Sequence, residues 1–253
     1  MKLFLATNSD TCKTDNIKLL KHSVNSALQN TDFEVFVIFD GKKEELDLPN
    51  GVTIIEHRHR CYDTFLNSER TKKEGSLTIS SGTFLRTEIP FLLNKLGYDD
   101  EFCLYTDYDV IFQKGDYSDI NDIKPKYFSA CPEFDVNDWS YINAGVMLFN
   151  VKSFLLDDEK IINYINTNFD NLSVWDQTMY NDLYKGNIDK LPLVYNWKPY
   201  WGINENSKII HFHGAKPRIV EPEWRYNLNE IKIIRNKNIV GYNHYDKIFN
   251  LYI

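Results

Sequence analysis

The segment 102–112, Phe-Cys-Leu-Tyr-Thr-Asp-Tyr-Asp-Val-Ile-Phe, constrains the fold more than any other part of the chain. It places two carboxylates, Asp107 and Asp109, between apolar runs whose aromatic and β-branched residues are typical of buried strands. Carboxylates are almost never fully buried unless they are paired or bind a metal. We therefore expect this pair to face a cation or a cleft at the end of a core strand. Hard oxygen ligands favour Mg²⁺ or Mn²⁺, and these ions commonly bridge to substrate phosphates.

Length, charge and cysteine content narrow the class of protein. The chain of 253 residues is long enough to bury a sizeable core. Its net charge of −7 argues against a nucleic-acid partner, but a metal can still meet the charge of a nucleotide substrate. Cys103 and Cys131 lie in apolar runs without CxxC spacing, which predicts buried, reduced thiols and a cytoplasmic location. No segment reaches the ~18 apolar residues of a spanning helix, so we expect peripheral membrane contact at most.

Strand-like and helix-like segments alternate along the chain, which predicts an α/β fold with a mainly parallel central sheet flanked by helices. In such sheets ligands bind beyond the carboxyl ends of the strands, where Asp107 and the segment Ala6-Thr7-Asn8 both fall. Residues 56–81 are polar and stay unassigned. Strands are predicted at 2–6, 33–39, 52–55, 102–105, 127–131, 144–149 and 209–212, and helices at 16–28, 83–96, 157–168 and 174–183.

Four further segments accompany the carboxylate pair in a recognisable order. They are Thr-Phe-Leu-Arg at 83–86, Tyr-Ile-Asn-Ala-Gly-Val-Met-Leu-Phe-Asn at 141–150, Trp-Asp-Gln at 175–177 and Ile-His-Phe-His-Gly-Ala-Lys-Pro at 210–217. Together, over residues 3 to about 218, they resemble glycosyltransferase family 8, which includes glycogenin-like and bacterial lipopolysaccharide galactosyl- and glucosyltransferases. The resemblance implies a GT-A nucleotide-diphospho-sugar transferase domain at 1–220, and we expect a C-terminal extension packed on it at 221–253.

The same resemblance implies an activity and a metal. A sugar would pass from a nucleotide-diphosphate donor, UDP-linked in this family, to a glycan or lipid-linked acceptor, with retention of anomeric configuration. The implied metal ligands are Asp107, Asp109 and His211, and the ion is Mn²⁺ or Mg²⁺. A metal held by carboxylates would act as a Lewis acid on the leaving diphosphate, and imidazole suits Mn²⁺ better than Mg²⁺. His213 is an alternative ligand, because one residue fewer than usual separates Gly214 from Lys216.

Other positions match residues that the family uses for the donor and for catalysis. Asp176 would contact donor sugar hydroxyls, and Gln177 would lie near the anomeric carbon. The simpler interpretations are an Asx turn at Asn8, a surface arginine at Arg86, a structural turn at 143–145 and a helix N-terminus at Asp176. The implied donor-binding residues are Ala6, Thr7, Asn8, Arg86, Asp107, Tyr108, Asn143, Ala144, Gly145, Gly214 and Lys216, and the implied catalytic residues are Asp176 and Gln177.

Three alternative functions stay open at this point. An inverting transferase would need a carboxylate general base, for which Asp176 is the candidate. A metal-dependent nucleotidyltransferase shares the α/β layout but normally needs a Gly-rich loop after the first strand, and residues 5–13 contain no Gly. A non-catalytic sugar-nucleotide binder is disfavoured because both Asp107 and Asp109 are present. The basic cluster at 57–60 has no counterpart in the family pattern and is interpreted as a solvated face.

Overall fold

Strands and helices alternate along the chain, as the apolar pattern predicts. A computed structural model describes residues 1–221 and 223–252, apart from the side chains of Trp224 and Tyr226. The strands are β1 (Lys2–Asn8), β2 (Glu34–Asp40), β3 (Val52–Glu56), β4 (Phe102–Thr106), β5 (Val110–Phe112), β6 (Phe128–Pro132), β7 (Ile142–Asn150), β8 (Asp189–Lys190) and β9 (Ile209–His211). The helices are α1 (Ser9–Cys12), α2 (Asn16–Asn30), α3 (Tyr62–Asn67), α4 (Glu69–Glu74), α5 (Leu77–Thr83), α6 (Ile89–Lys95), α7 (Val151–Leu156), α8 (Asp158–Asn168), α9 (Trp175–Leu183), α10 (Asn229–Lys237) and α11 (Ile239–Phe249).

A seven-stranded sheet with the order β3-β2-β1-β4-β7-β6-β8 forms the centre of the molecule. Parallel ladders join β3, β2, β1 and β4, and a further parallel ladder joins β6 to β8. Strand β7 runs antiparallel to both of its neighbours, β4 and β6. The predicted α/β fold with a mainly parallel sheet is therefore confirmed.

Both faces of the sheet are covered, so the interior strand β1 is buried along its whole length. In β1, Leu3 and Leu5 point into the core on the side of α2, whereas Phe4 and Ala6 point into the core on the side of α6. A strand that is buried on both faces has a nearly continuous apolar sequence, which is why the apolar run at residues 2–6 predicts this strand. Cys103 and Cys131 are buried free thiols, as predicted.

A second, two-stranded sheet positions the residues around the carboxylate pair. Strands β5 and β9 pair antiparallel, with Val110 opposite His211. The backbone N–H of Phe212 donates to the carbonyl of Asp109 at 2.9 Å. Because β4 ends at Thr106 and β5 begins at Val110, the chain passes from the large sheet to the small one through the carboxylate pair itself.

The last two helices pack over the small sheet. Tyr242, Tyr245 and Phe249 of α11 are buried in an apolar cluster that also contains Ile111 and Phe212. Helices α10 and α11 therefore share a core with the strands that carry the site. Within the described residues, no helix combines the length and the apolar character needed to cross a bilayer.

Three local predictions differ from the structure. The helix predicted at 83–96 is split into the end of α5, a 3-10 turn at Phe84–Glu88, and α6. The unassigned residues 56–81 contain α3, α4 and most of α5, which are too short to show a helical period. Strand β7 begins at Ile142, two residues before the predicted start at 144, so the structural turn considered at 143–145 is part of the strand.

The basic cluster at 57–60 is not a solvated face, because a buried carboxylate binds it. Glu88 is fully buried and lies 2.7 Å from His57 Nε2 and 2.9 Å from Arg60 Nε. Arg60 also contacts Asp158 at 2.6 Å. Burial alone would raise the pKa of Glu88, but the hydrogen bond from His57 and the Arg60 guanidinium outweigh it and hold the pKa at about 2. The cluster thus ties the end of β3 to the 3-10 turn before α6.

Replacing Glu88 by Gln should lower the free energy of unfolding near neutral pH by about 3 kcal/mol, because a pKa of about 2 lies roughly two units below that of an unfolded Glu. A depressed carboxyl pKa stabilises the fold above the unfolded value of about 4.3, and this contribution is lost as pH falls toward 2. Urea denaturation at a series of pH values should therefore show a difference between wild type and Glu88→Gln that shrinks in this acidic window.

The matched control is Glu74→Gln. Glu74 is 48% exposed and pairs with Arg70 one helical turn away, so its loss should cost less than about 1 kcal/mol. Equal losses in the two variants, or a Glu88 effect independent of pH, would contradict the assignment of Glu88 as a buried anchor.

Candidate functional site

Asp107 and Asp109 lie at the carboxyl end of β4 with different degrees of burial. The side chain of Asp107 is 30% exposed, whereas that of Asp109 is 9% exposed. The backbone N–H of Asp107 donates to the carbonyl of Gly145 at 2.7 Å, which fixes the start of the segment against β7. A backbone hydrogen bond thus ties each of the two residues to a neighbouring segment, Asp107 to Gly145 and Asp109 to Phe212.

Three acceptor groups converge at this edge. His211 Nε2 lies 3.3 Å from Asp109 Oδ1 and 3.9 Å from Asp107 Oδ2. One ligand atom from each of these residues lies within 4.8 Å of the others, a spacing that can hold a metal ion. Asp109 Oδ1 is buried and accepts no hydrogen bond from the described part of the chain. The arrangement brings together the three residues that the sequence resemblance implies as metal ligands.

Lys216 closes the other side of Asp109. Its Nζ forms an ion pair with Asp109 Oδ2 and donates to the carbonyl of Phe212 at 3.1 Å. Burial opposes the charge of Asp109, but the ammonium of Lys216 favours it, and the pKa of Asp109 lies well below its usual range. Gly214 precedes Lys216 with φ +79°, and a Cβ at that position would overlap Ile234 of α10. The shortened spacing to Gly214 therefore still delivers a lysine to the site.

Arg86 lies beneath the site and links its two acidic groups. Its guanidinium contacts Asp107 Oδ1 at 3.0 Å and Asp176 Oδ2 at 2.8 Å. It also donates to the carbonyl of Ala144 and lies over the Tyr105 ring at 4.5 Å from the centroid. With 5% of its side chain exposed, Arg86 is not the surface arginine considered above. It holds Asp107 and Asp176 in fixed positions.

Asp176 and Gln177 open helix α9 next to this group. Asp176 lies in the first turn of the helix, and burial raises its pKa to about 7 against the opposing charge of Arg86. Gln177 Oε1 accepts hydrogen bonds from Ala144 N at 3.0 Å and from Asn143 Nδ2 at 3.2 Å. Since the carbonyl oxygen of Gln177 has two donors, its amide NH₂ is the group that it can offer to a ligand.

Residues 143–145 pass close to the metal-binding candidates because β7 bulges there. On β6, Ala130 pairs with Met147 and the next residue, Cys131, pairs with Asn143, so the register shifts at this point. A Cβ at Gly145 would overlap the ring of His211. The glycine therefore makes room for the imidazole, which is a structural reason for a small residue at this position.

A cavity of about 210 Å³ adjoins Asp107. Asn8 lies in its wall and caps α1, since its Oδ1 accepts from Asp10 N at 3.2 Å. The Asn8 amide NH₂ donates to the carbonyl of Thr78 at 2.6 Å. Asn8 thus makes the local turn considered above and also faces the cavity. The sequence-predicted residues in the cavity wall are Ala6, Thr7, Asn8, Arg86, Asp107 and Tyr108.

His213 has other partners than the carboxylate pair. Its Nε2 lies 3.0 Å from Glu133 Oε1, and its Nδ1 lies 3.0 Å from the hydroxyl of Tyr200. Burial lowers the pKa of His213. Both ring nitrogens are therefore engaged, and of the two histidines only His211 faces Asp107 and Asp109 in the described structure.

Sequence reasoning missed three residues of this site. Tyr105 donates its hydroxyl to Asp107 Oδ1 at 2.6 Å, Asn196 Oδ1 lies 2.9 Å from His211 Nδ1, and Glu133 binds His213. A usable signal existed for Asn196, which is a lone amide within the aromatic run Tyr-Asn-Trp at 195–197. A buried amide of this kind needs hydrogen-bond partners.

Comparisons with known proteins agree with this geometry. The model of a family described as glycosyl transferase family 8 matches residues 11–218 of the chain. A search of curated protein sequences finds no significant match.

Solved structures share the fold at low sequence identity. The glycosyltransferase GlyE of Streptococcus pneumoniae TIGR4, in its apo form, is 18% identical with a TM-score of 0.63, and the alignment covers 94% of this chain and 63% of the GlyE chain. The galactosyltransferase LgtC, solved in complex with donor and acceptor sugar analogs, is 17% identical with a TM-score of 0.64 over 94% of this chain and 95% of LgtC. Mouse xyloside xylosyltransferase 1 is 13% identical with a TM-score of 0.56 over 84% and 97% of the two chains.

The chain spans less than two thirds of GlyE but nearly the whole of LgtC. These likenesses confirm the predicted GT-A fold. Since the family match extends over most of its length, this chain belongs to glycosyl transferase family 8.

Proposed function

We propose that this chain is a metal-dependent glycosyltransferase, which moves a sugar from a UDP-linked donor to a glycan or lipid-linked acceptor. The ligand types at the site favour Mn²⁺ as the metal. The observation that carries the proposal is the convergence of Asp107, Asp109 and His211 on one point beside the cavity. Two carboxylates and an imidazole nitrogen face one another, and all three groups are hydrogen-bond acceptors. Because buried acceptors are unfavourable without a partner, a cation between them would stabilise the arrangement.

The donor set fits the proposed ion. Asp109 Oδ1 is a buried acceptor without a donor in the described structure, and His211 Nε2 lies 3.3 Å from it. Carboxylates alone would suit Mg²⁺, but an imidazole ligand shifts the preference to Mn²⁺. When bound, such an ion neutralises the charge that develops on a leaving diphosphate.

The protein's own cations complement this role. Lys216 Nζ lies on the far side of Asp109 and carries a compact charge on a flexible stem, so it can reach a phosphate oxygen near the ion. Arg86 is buried and bound to Asp107 and Asp176, so it orients these two groups. Both cations are paired with carboxylates of the site, so the metal would supply the further positive charge that a diphosphate needs.

We propose retention of anomeric configuration. An inverting enzyme needs a carboxylate base beside the acceptor, and Asp176 is the candidate by residue type. Its pKa of about 7 would suit that role, but its side chain is 4% exposed and paired with Arg86. In the retaining reaction the leaving diphosphate helps to deprotonate the acceptor, and Gln177 directs its amide NH₂ at the donor. The anomeric configuration of the product, read by NMR, decides between the two.

Activity should require a divalent cation, and Asp109→Ala should abolish it, because the variant removes a buried ligand and leaves Lys216 without its partner. Donor turnover with and without acceptor is measured before and after EDTA treatment. Asp47→Ala removes an exposed carboxylate that is 95% accessible and should keep full activity. Full turnover in excess EDTA would rule out the metal mechanism.

Binding of UDP should depend strongly on Mn²⁺. The diphosphate is negatively charged, and a chain with net charge −7 offers it little positive charge without the ion. Titration calorimetry should show UDP affinity collapsing without the metal. At a free UDP concentration 100 times its dissociation constant, the complex should be more stable to unfolding by about 2.7 kcal/mol. Equal UDP affinity with and without Mn²⁺ would mean that no metal bridges protein and diphosphate.

His211 and His213 form a matched pair for testing the metal ligand. His211→Ala should raise the Mn²⁺ dissociation constant by at least about 10–100-fold. That is the usual effect of losing a residue that only hydrogen-bonds to a metal ligand, and His211 is proposed to be a ligand itself. His213→Ala should leave it nearly unchanged, because His213 is bound to Glu133 and Tyr200. Calorimetric Mn²⁺ titrations of both variants provide the comparison. A larger effect at His213 would show that the ligand assignment is wrong.

A further inference from the structure

We propose that Asn196 is a positioning residue that fixes the tautomer and ring orientation of His211, so that Nε2 stays available as a metal ligand. The inference rests on the proposed metal-dependent function. Asn196 is fully buried and follows a 3-10 turn at Leu193–Tyr195. Its backbone runs beside β9, since Trp197 N–H donates to Ile209 O at 2.9 Å and His211 N–H donates to Trp197 O at 2.8 Å. The Asn196 side chain therefore starts next to the His211 ring.

Backbone donors determine which way each amide of this group points. A backbone N–H can only donate, and Gly145 N–H donates to Asn143 at 3.1 Å, so the Asn143 atom there is its oxygen Oδ1. Asn196 lies 3.0 Å from the same oxygen and must present its NH₂. The remaining atom of the Asn196 amide is its oxygen, which lies 2.9 Å from His211 Nδ1. It follows that Nδ1 carries the proton in the neutral ring.

This assignment leaves the lone pair of His211 on Nε2. That atom faces Asp109 Oδ1 at 3.3 Å and Asp107 Oδ2 at 3.9 Å. A metal-ligating histidine usually donates its other ring N–H to an oxygen, which fixes the tautomer and makes the ligand nitrogen more basic. Asn196 supplies that oxygen from a position that the proposed function had not included.

The chain of hydrogen bonds continues to the reaction centre. Asn143 Nδ2 donates to Gln177 Oε1 at 3.2 Å, and Ala144 N–H donates to the same oxygen at 3.0 Å. We call Asn196, Asn143 and Gln177 the amide relay. Because the amide relay connects His211 to Gln177, one network sets both the metal ligand and the orientation of the Gln177 amide.

The test replaces Asn196 by Leu, which keeps the approximate volume and removes both hydrogen bonds. In metal-free wild type at alkaline pH, ¹⁵N NMR should show His211 protonated at Nδ1. The Asn196→Leu variant should shift the ring toward the Nε2–H tautomer and raise the Mn²⁺ dissociation constant about 10–100-fold. The chain has six histidines, so the His211 signal is identified by its absence in His211→Gln.

Two further variants separate positioning from stability. Asn196→Asp loses the donor to Asn143 Oδ1 but keeps an oxygen for His211 Nδ1–H, so it should preserve the Nδ1–H tautomer that Asn196→Leu loses. Asn30→Leu removes hydrogen bonds to Phe112 O and to the Tyr252 hydroxyl outside the amide relay. It should lower stability while leaving the tautomer and Mn²⁺ affinity unchanged.

An Nε2–H tautomer in wild type would overturn the inference, and so would an Asn196→Leu variant with the wild-type tautomer or the wild-type Mn²⁺ affinity. A wild-type protein that binds no Mn²⁺ would refute the proposed metal site. In that case the NMR comparison still tests the amide relay. A His211 tautomer that changes in Asn196→Leu would support the relay, and an unchanged tautomer would overturn it.

Discussion

The site depends on keeping two carboxylates side by side at the edge of a buried sheet. Their mutual repulsion is offset by one cation each, Arg86 at Asp107 and Lys216 at Asp109. At an effective dielectric constant of about 20, opposite unit charges 4 Å apart attract by about 4 kcal/mol, which is large against the stability of a domain. Removing either cation would leave a carboxylate without its partner in a partly water-free setting, where an uncompensated charge is most costly. The proposed divalent metal, held between the carboxylates and His211, would be the third cation of this arrangement.

The fold holds this charge arrangement with backbone hydrogen bonds. Asp107 is bound through its N–H to β7, and Asp109 is bound through its carbonyl to the residue after β9. The two carboxylates thus belong to a bridge between two sheets and not to a free loop. Gly145 serves both sides, because its carbonyl accepts from Asp107 and its missing Cβ leaves space for His211. Sites carried by rigid elements keep the sub-ångström geometry that metal binding and catalysis require.

Much of the fold follows from local pattern, whereas the contacts within the site do not. The apolar run of β1 and the alternation of strands with helices predict the sheet, and residue types at the ends of strands predict its functional edge. The partners of Arg86 and Lys216 could not be predicted from local sequence. Arg86 lies 58 positions from Ala144, and Lys216 lies 107 positions from Asp109. A structural turn was considered at residues 143–145, but a bulge keeps them in the strand. The lone amide of Asn196 in an aromatic run indicates a buried hydrogen bond, but its partner His211 is defined only when β9 lies beside it.

The most direct test of the metal site looks at the ligand nitrogen itself. Mn²⁺ is bound to protein labelled with ¹⁵N only at histidine, and electron spin echo modulation reports couplings between the ion and nearby ¹⁵N nuclei. We expect coupling from one imidazole, lost in His211→Gln and retained in His213→Gln. Bound Mn²⁺ without any ¹⁵N coupling, or a coupling that survives His211→Gln, would contradict the convergence of Asp107, Asp109 and His211 on one metal ion.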